Sequence, residues 1–302
     1  MANTSAPNGF QQYQGTGSSP TFEQTQLAIA SGNTTPIFFG DPVVQATGTT
    51  GLGTGYITQA ASQASVAISG FTLSNGIVTA TFTSTTAPQV GATLVLTGLT
   101  TETTLNGSWQ ILSSSVTTVT FAYSGAALTT QAATGYVFAP VAGIFVGCKY
   151  LSTSQKKTAW SNYWPGSDAN GDVTAYVITD PNAQFIVQTA NSNTTSAAVG
   201  LSNIGQNIGF NYVVSGASPA STNGVAANGL STYIADQYTL IGNNPAGATS
   251  NNFLPFRIVA LANYTPGAVS PLATINGNDN TTAFNRIVVG FNNSMPRGFA
   301  GI

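Results

Sequence analysis

Short runs of alternating apolar and polar residues, bounded by Gly, Pro, Asn and Asp, dominate this chain from residue 36 onward. That period-two pattern predicts antiparallel strands joined by tight connections. It is clearest between Gly143 and Ala190, where Ile144–Tyr150, Val173–Ile178 and Gln184–Gln188 follow one another, punctuated by Ser167–Asp172 and by Asp180-Pro181-Asn182. Upstream, Pro36–Val43 reads as a strand broken at Gly40-Asp41-Pro42, since a proline inside a strand pattern marks a bend, bulge or edge. Residues 63–138 read as a separate unit of five or six short strands, including a hairpin at Asn75-Gly76, and predict a small sandwich. Beyond Ala190, short β runs at Ile208–Val214 and Leu230–Leu240 precede two clearer strands, Phe256–Ala262 and Arg286–Phe291. No stretch has helical periodicity, and no repeat of 20–50 residues is present.

The expected fold is therefore all-β. A β-barrel or sandwich core (31–62 and 139–190) is interrupted by an Ig-like β-sandwich insertion (63–138). An extended N-terminal arm (1–30) precedes the core, and a loop-rich C-terminal β region (191–302) follows it. The arm is Gln-, Ser-, Thr- and Gly-rich with isolated aromatics at Phe10, Tyr13 and Phe22. Such a segment is either a flexible tail or an arm that orders against a partner, with the aromatics as anchors.

Composition changes this picture in one respect. Apolar residues make up 42% of the 302, enough for a sizeable core, whereas charged residues are only 5%, against about 25% in an ordinary domain. With a net charge of −2 there is no basic stripe for nucleic acid or for anionic membrane. So neutral a surface is poorly protected against self-association, which suits a protein that works in an assembly. No basic-plus-apolar leader opens the chain and no window approaches 18 unbroken apolar residues, so neither a Sec-type signal nor a membrane span is expected.

Candidate chemistry is sparse. The absence of histidine removes Ser-His-Asp and Cys-His sites and His-containing zinc centres. The single Cys148 lies in an apolar run and reads as a small core residue. Glycoside hydrolysis needs two carboxylates about 5–9.5 Å apart, and of eight acids only Asp168 and Asp172 are close in sequence. Their setting, Asp168-Ala169-Asn170-Gly171-Asp172, resembles the start of a calcium loop but lacks its distal Glu, and reads as turn chemistry. The chain is expected to be non-enzymatic, with no cofactor and no metal.

Contacts with partners are the more informative expectation. Lys149, Lys156 and Lys157 form the one basic cluster, with Trp160 nearby; it is a solvated hairpin end or a contact for an acidic partner surface. Arg257 and Arg286 each open an apolar strand, where Asp41 or Asp180 are candidate counter-charges. Phe10, Tyr13 and Phe22 on the arm complete the set of expected contact residues.

Several motifs in a constant order carry a resemblance. Gly40-Asp41-Pro42-Val43, then Gly143–Tyr150, Tyr163-Trp164-Pro165, Ala175-Tyr176-Val177 and Asp180-Pro181, with Phe256–Val259 and the Asn292-Asn293 and Ala300–Ile302 ending, resemble tailed-phage capsid-stabilising (decoration or cement) proteins. Val90–Leu96, Leu105–Trp109 and Thr117–Tyr123 of the insertion are similar to β-sandwich modules of phage tail and capsid proteins. The resemblance implies a homo-oligomeric (dimeric or trimeric) protein on the capsid exterior that binds the major capsid protein and locks neighbouring capsomers, with the insertion as a knob on the outside. A tail or tail-fibre component is the next reading. A carbohydrate-binding adhesin, using exposed aromatics such as Trp109, Trp160 or Trp164, is the third.

Overall fold

A computed structural model describes residues 2–14, 23–46, 55–61, 64–84, 87–129, 131–216, 222–241, 251–262 and 278–295. The fold is all-β, with three short 3-10 turns and no α-helix among the described residues.

The first unit is a small barrel. Its strands run in the order Thr25–Ile29, Val173–Ile178, Val141–Leu151, Pro42–Gln45, Ile57–Gln59, and a parallel bridge between Ala28 and Tyr56 closes the circuit. Closure is reinforced at the seam, where Asp172 accepts from the Tyr56 hydroxyl (2.6 Å) and the Ser31 amide (3.1 Å). Alternation places Val173, Ala175 and Val177 inside with Ile29, Val43, Ile57 and Phe145, while Thr174 and Tyr176 point outward. Trp164 is fully buried in this core, donating its indole N–H to the Asn33 carbonyl (3.1 Å). A bulge between Phe145 and Gly147 lets both Phe145 and Cys148 face the interior despite their odd spacing.

The second unit is built from the C-terminal strands. Gln184–Ala190 pairs with Arg286–Phe291, then follow Phe256–Leu261, Asn207–Asn211 and Ile234–Asp236, which returns to Gln184–Ala190 through the parallel pair Thr189–Ala235. Its core is aromatic: Phe185, Phe210, Phe256 and Phe291 are all buried, in edge-on and stacked contacts. The region expected to be loop-rich thus closes a second sheet circuit. The strand Gln184–Ala190, assigned above to the core, belongs to this unit, because the turn at Asp180–Ala183 carries the chain out of the first barrel.

The N-terminal segment is not a free arm. Gln11–Gln14 pairs with Gln184–Ile186, and Phe10 is buried (1% exposed), stacked on Phe256 (4.5 Å between centroids) with Phe185 edge-on. Asn3 bonds Asp279, Thr282 and Ala283, and Gln188 bonds Thr4 and Ala6. Thr25–Ile29, also assigned to the arm, is a stave of the first barrel. Phe22 lies outside the described residues, as do Ala300–Ile302.

The insertion forms a seven-stranded sheet from Ala64 to Phe138, ordered Gly107–Gln110, Thr93–Thr97, Ala133–Phe138, Ala64–Ser74, Ile77–Phe82, Thr118–Ala122, Ser113–Ser114. Asn75 and Gly76 both take positive φ (49° and 77°), which a type I′ hairpin requires. The sheet rolls over its own core, so that Trp109 of Gly107–Gln110 stacks on Phe121 of Thr118–Ala122 at 5.0 Å. It is docked on the C-terminal unit rather than free: Phe138 meets Phe210 edge-on (5.6 Å), Asn293 donates to Thr93 (2.9 Å), and Phe253 donates to Ser108 (3.1 Å).

Amides take the place that charges hold in most proteins. Asn285 exchanges bonds with Val199 in both directions, Asn278 bonds Ala262 and Arg286, and Gln237 bonds Thr189 and Ala197. Each amide both donates and accepts, so it satisfies buried backbone groups without the desolvation cost of an ion.

Candidate binding surface

The outer face of the first barrel holds the most exposed large apolar side chain described, Trp160 (66%). It stands on Thr158–Ser161, which pairs with the far half of Val141–Leu151 and puts Trp160 directly opposite Lys149. The Lys149 ammonium lies over the indole, 5.0 Å from its centroid. Tyr176 projects from the other flanking strand, opposite Gly147, and its ring lies nearly parallel to the indole (13°, centroids 5.7 Å apart). Gly147 lies on the strand between them; it has φ +149°, and a Cβ there would lie 3.0 Å from the Ser161 carbonyl oxygen, so the position favours glycine. Beside the rings is an open depression of about 420 Å³, bordered by Gln24, Ser161 and Asn162.

Lys156 and Lys157 sit at the exposed tip of the same hairpin, Lys156 with φ 57°. Asp168 shapes that tip, accepting from Ser152 (2.6 Å), Thr153 (2.7 Å) and Ser154 (2.8 and 3.0 Å), donors that hold its carboxylate well below the usual range. Asp172 instead clasps the barrel seam, and its hydrogen bond from Tyr56 lowers its pKa. The two acids of the Asp168–Asp172 cluster therefore hold separate structural hydrogen bonds, Asp168 at the hairpin tip and Asp172 at the barrel seam. Cys148 is buried with its thiol pushed up to about 12 by desolvation, which leaves it without thiolate character at neutral pH.

The structure sorts the other expected contact residues. Tyr13 (42%) and Arg257 are exposed and Arg286 is half-buried, on the C-terminal unit. Phe10 is consumed by this chain's own core, which removes it as an anchor for a partner. Asp41 is no counter-charge for either arginine: it is wholly buried and accepts from the Phe38 amide (2.7 Å) and the Gln59 side chain (2.5 Å). Of the three tryptophans, Trp164 is buried and Trp109 half-buried, leaving Trp160 as the one presented to solvent. Tyr176, Gln24 and Asn162 were missed; alternation along Val173–Ile178 does place Tyr176 outward, but its cross-strand neighbours depend on register.

A further cleft of about 560 Å³ lies where the first barrel meets the insertion, lined by residues that include Val44, Gln59, Phe82 and Val137. None of its lining side chains is charged, so it offers no acid–base chemistry. Scans against family models, curated proteins and solved structures found no match to this chain.

Proposed function

We propose that this chain is a non-enzymatic structural protein of a tailed-phage particle that binds the outside of the capsid lattice, contacts the major capsid protein and stabilises the shell. One observation carries the reading. Of the motifs that resemble capsid-stabilising proteins, Phe256–Val259 belongs to the C-terminal unit. Those from Gly40 to Val177 are scattered over some 140 residues of sequence, yet Pro42–Gln45, Val141–Leu151 and Val173–Ile178 lie side by side in a single barrel. The insertion between them folds over a core of its own. Most of the motif set converges on one barrel while the segment between its parts forms another unit, which is what an ancestral domain with a later insertion leaves behind.

The low charge and the amide-based packing support the same reading, because a protein built to lie against neighbouring copies gains from a surface with little self-repulsion. The test is to mix the purified chain with expanded capsids that lack it. Saturable co-sedimentation at a fixed ratio to the capsid protein, with a raised temperature of capsid disruption, is the expected outcome. No co-sedimentation at micromolar chain would overturn the proposal.

A further inference from the structure

Trp160 poses a problem that the rest of the fold does not. An indole left two-thirds in water forgoes most of the burial that ordinarily stabilises a large apolar side chain. It is nevertheless held in place, by Lys149 over the ring and Tyr176 nearly parallel to it. A rigid, solvent-facing aromatic surface has already met the ordering cost that binding would otherwise incur.

The surroundings narrow what could lie there. The depression beside the rings is lined by Val146, Gly147 and Cys148 and bordered by Gln24, Ser161 and Asn162; the Gln24 and Asn162 amides both donate and accept, while the Ser161 hydroxyl accepts from the Tyr163 amide. Asn162 is oriented by its bond to the Asn228 carbonyl (2.9 Å). Sugar hydroxyls have the same dual character, and a pyranose ring presents a flat C–H face to an aromatic one. An extended peptide would have to add along the outer edge of Thr158–Ser161 rather than lie in the depression, because the central strand Val141–Leu151 is paired on both sides where it forms the floor. Outside the depression's lining, Lys149 over the indole, with Lys156 and Lys157 at the hairpin tip that Asp168 also occupies, leaves net positive charge at one end of the surface. We propose that the Trp160–Tyr176 depression is a saccharide-binding site, selective for a sugar that carries a carboxylate. The ring stacks on the indole, Gln24 and Asn162 meet its hydroxyls, and Lys149 meets its carboxylate.

This inference is independent of the capsid reading, since it concerns a soluble ligand and the chain alone. The experiment is an NMR or fluorescence titration of the full chain with trigalacturonate and with 3′-sialyllactose, using maltotriose as the neutral control. At least one acidic saccharide is expected to bind saturably, more tightly than maltotriose, with the preference shrinking at high salt. Trp160→Ala should weaken that binding about tenfold or more, and Lys149→Ala should reduce the acidic-over-neutral preference. Trp160 is exposed, so its variant keeps the fold, which circular dichroism verifies. Failure of both acidic sugars to bind, binding indifferent to Trp160→Ala, or Trp160-dependent binding of poly-glutamate but of neither sugar would each overturn the proposal.

Discussion

Asp41 is the most consequential charge in the molecule, and replacing it by asparagine gives a sharp test of the physical reasoning. Its carboxyl is fully buried beneath the Gly40 turn, where Oδ2 accepts from Phe38 and Gln59 and Oδ1 has no hydrogen-bond partner. Burial pushes its pKa up from 3.8 to about 7. The Phe38 amide, the Ser231 hydroxyl and the Gln59 side chain, in that order, oppose that rise. Because the folded value lies above the unfolded one, the folded state holds a proton that the unfolded state has released between about pH 4 and 7. The Asp41 contribution to stability is therefore greatest below about pH 4, falls as pH rises through 7, and levels off above. A shift of about three units corresponds to a loss on the order of 4 kcal/mol.

Asparagine cannot ionise, so this dependence vanishes in Asp41→Asn. The assay is urea unfolding of both proteins at intervals from pH 4 to 8. Trp164 emission is a suitable probe, as the indole is buried in the barrel that Asp41 borders. The stability of the variant relative to wild type should rise by about 3–4 kcal/mol from pH 4 to pH 8. Buried Asp236, whose pKa is also raised by burial, and the lowered carboxylates of Glu102, Asp168, Asp172 and Asp279 are common to both proteins and cancel in the difference. A flat difference, or one that falls with pH, would refute the reasoning.

Three other outcomes are expected. Trp164→Ala empties the largest buried side chain of the first barrel and should cost about 3–5 kcal/mol in denaturant unfolding; a loss below about 1 kcal/mol would show that the barrel is not organised around it. Phe10→Ala should cost a similar amount, about 3–5 kcal/mol, because its ring completes the aromatic core of the C-terminal unit, and a neutral effect would return the N-terminal segment to the status of a free arm. Tyr56→Phe removes the hydroxyl that bonds Asp172, so the Asp172 pKa followed by NMR should move up toward the ordinary carboxylate range; no movement would place the barrel seam elsewhere.

Local pattern made some of this architecture legible and left the rest hidden. Val173–Ile178, Phe256–Leu261, Arg286–Phe291 and the Asn75-Gly76 hairpin follow from alternation and turn chemistry, which act over a few residues. The closing contacts are long-range. Nothing near Thr25–Ile29 announces that it pairs with Val173–Val177, nor does Tyr56 announce Asp172, 116 residues away. Phe10 looked like an anchor for another molecule because the surface it fills is assembled from strands about 175 to 280 residues downstream. Trp160 and Trp164 have the same parity and would share a face in a continuous strand. The strand ends at Ser161, however, and Trp164 turns inward through its bridge to Ile37. Which aromatic faces water was decided by that interruption.

The measurement that bears most directly on the proposed role is the copy number of this chain per purified virus particle, relative to the major capsid protein, by quantitative mass spectrometry. A ratio near one, or a simple fraction such as one third, is the predicted result. A few copies per particle would move the chain to the tail, and its absence from particles would contradict the virion role altogether.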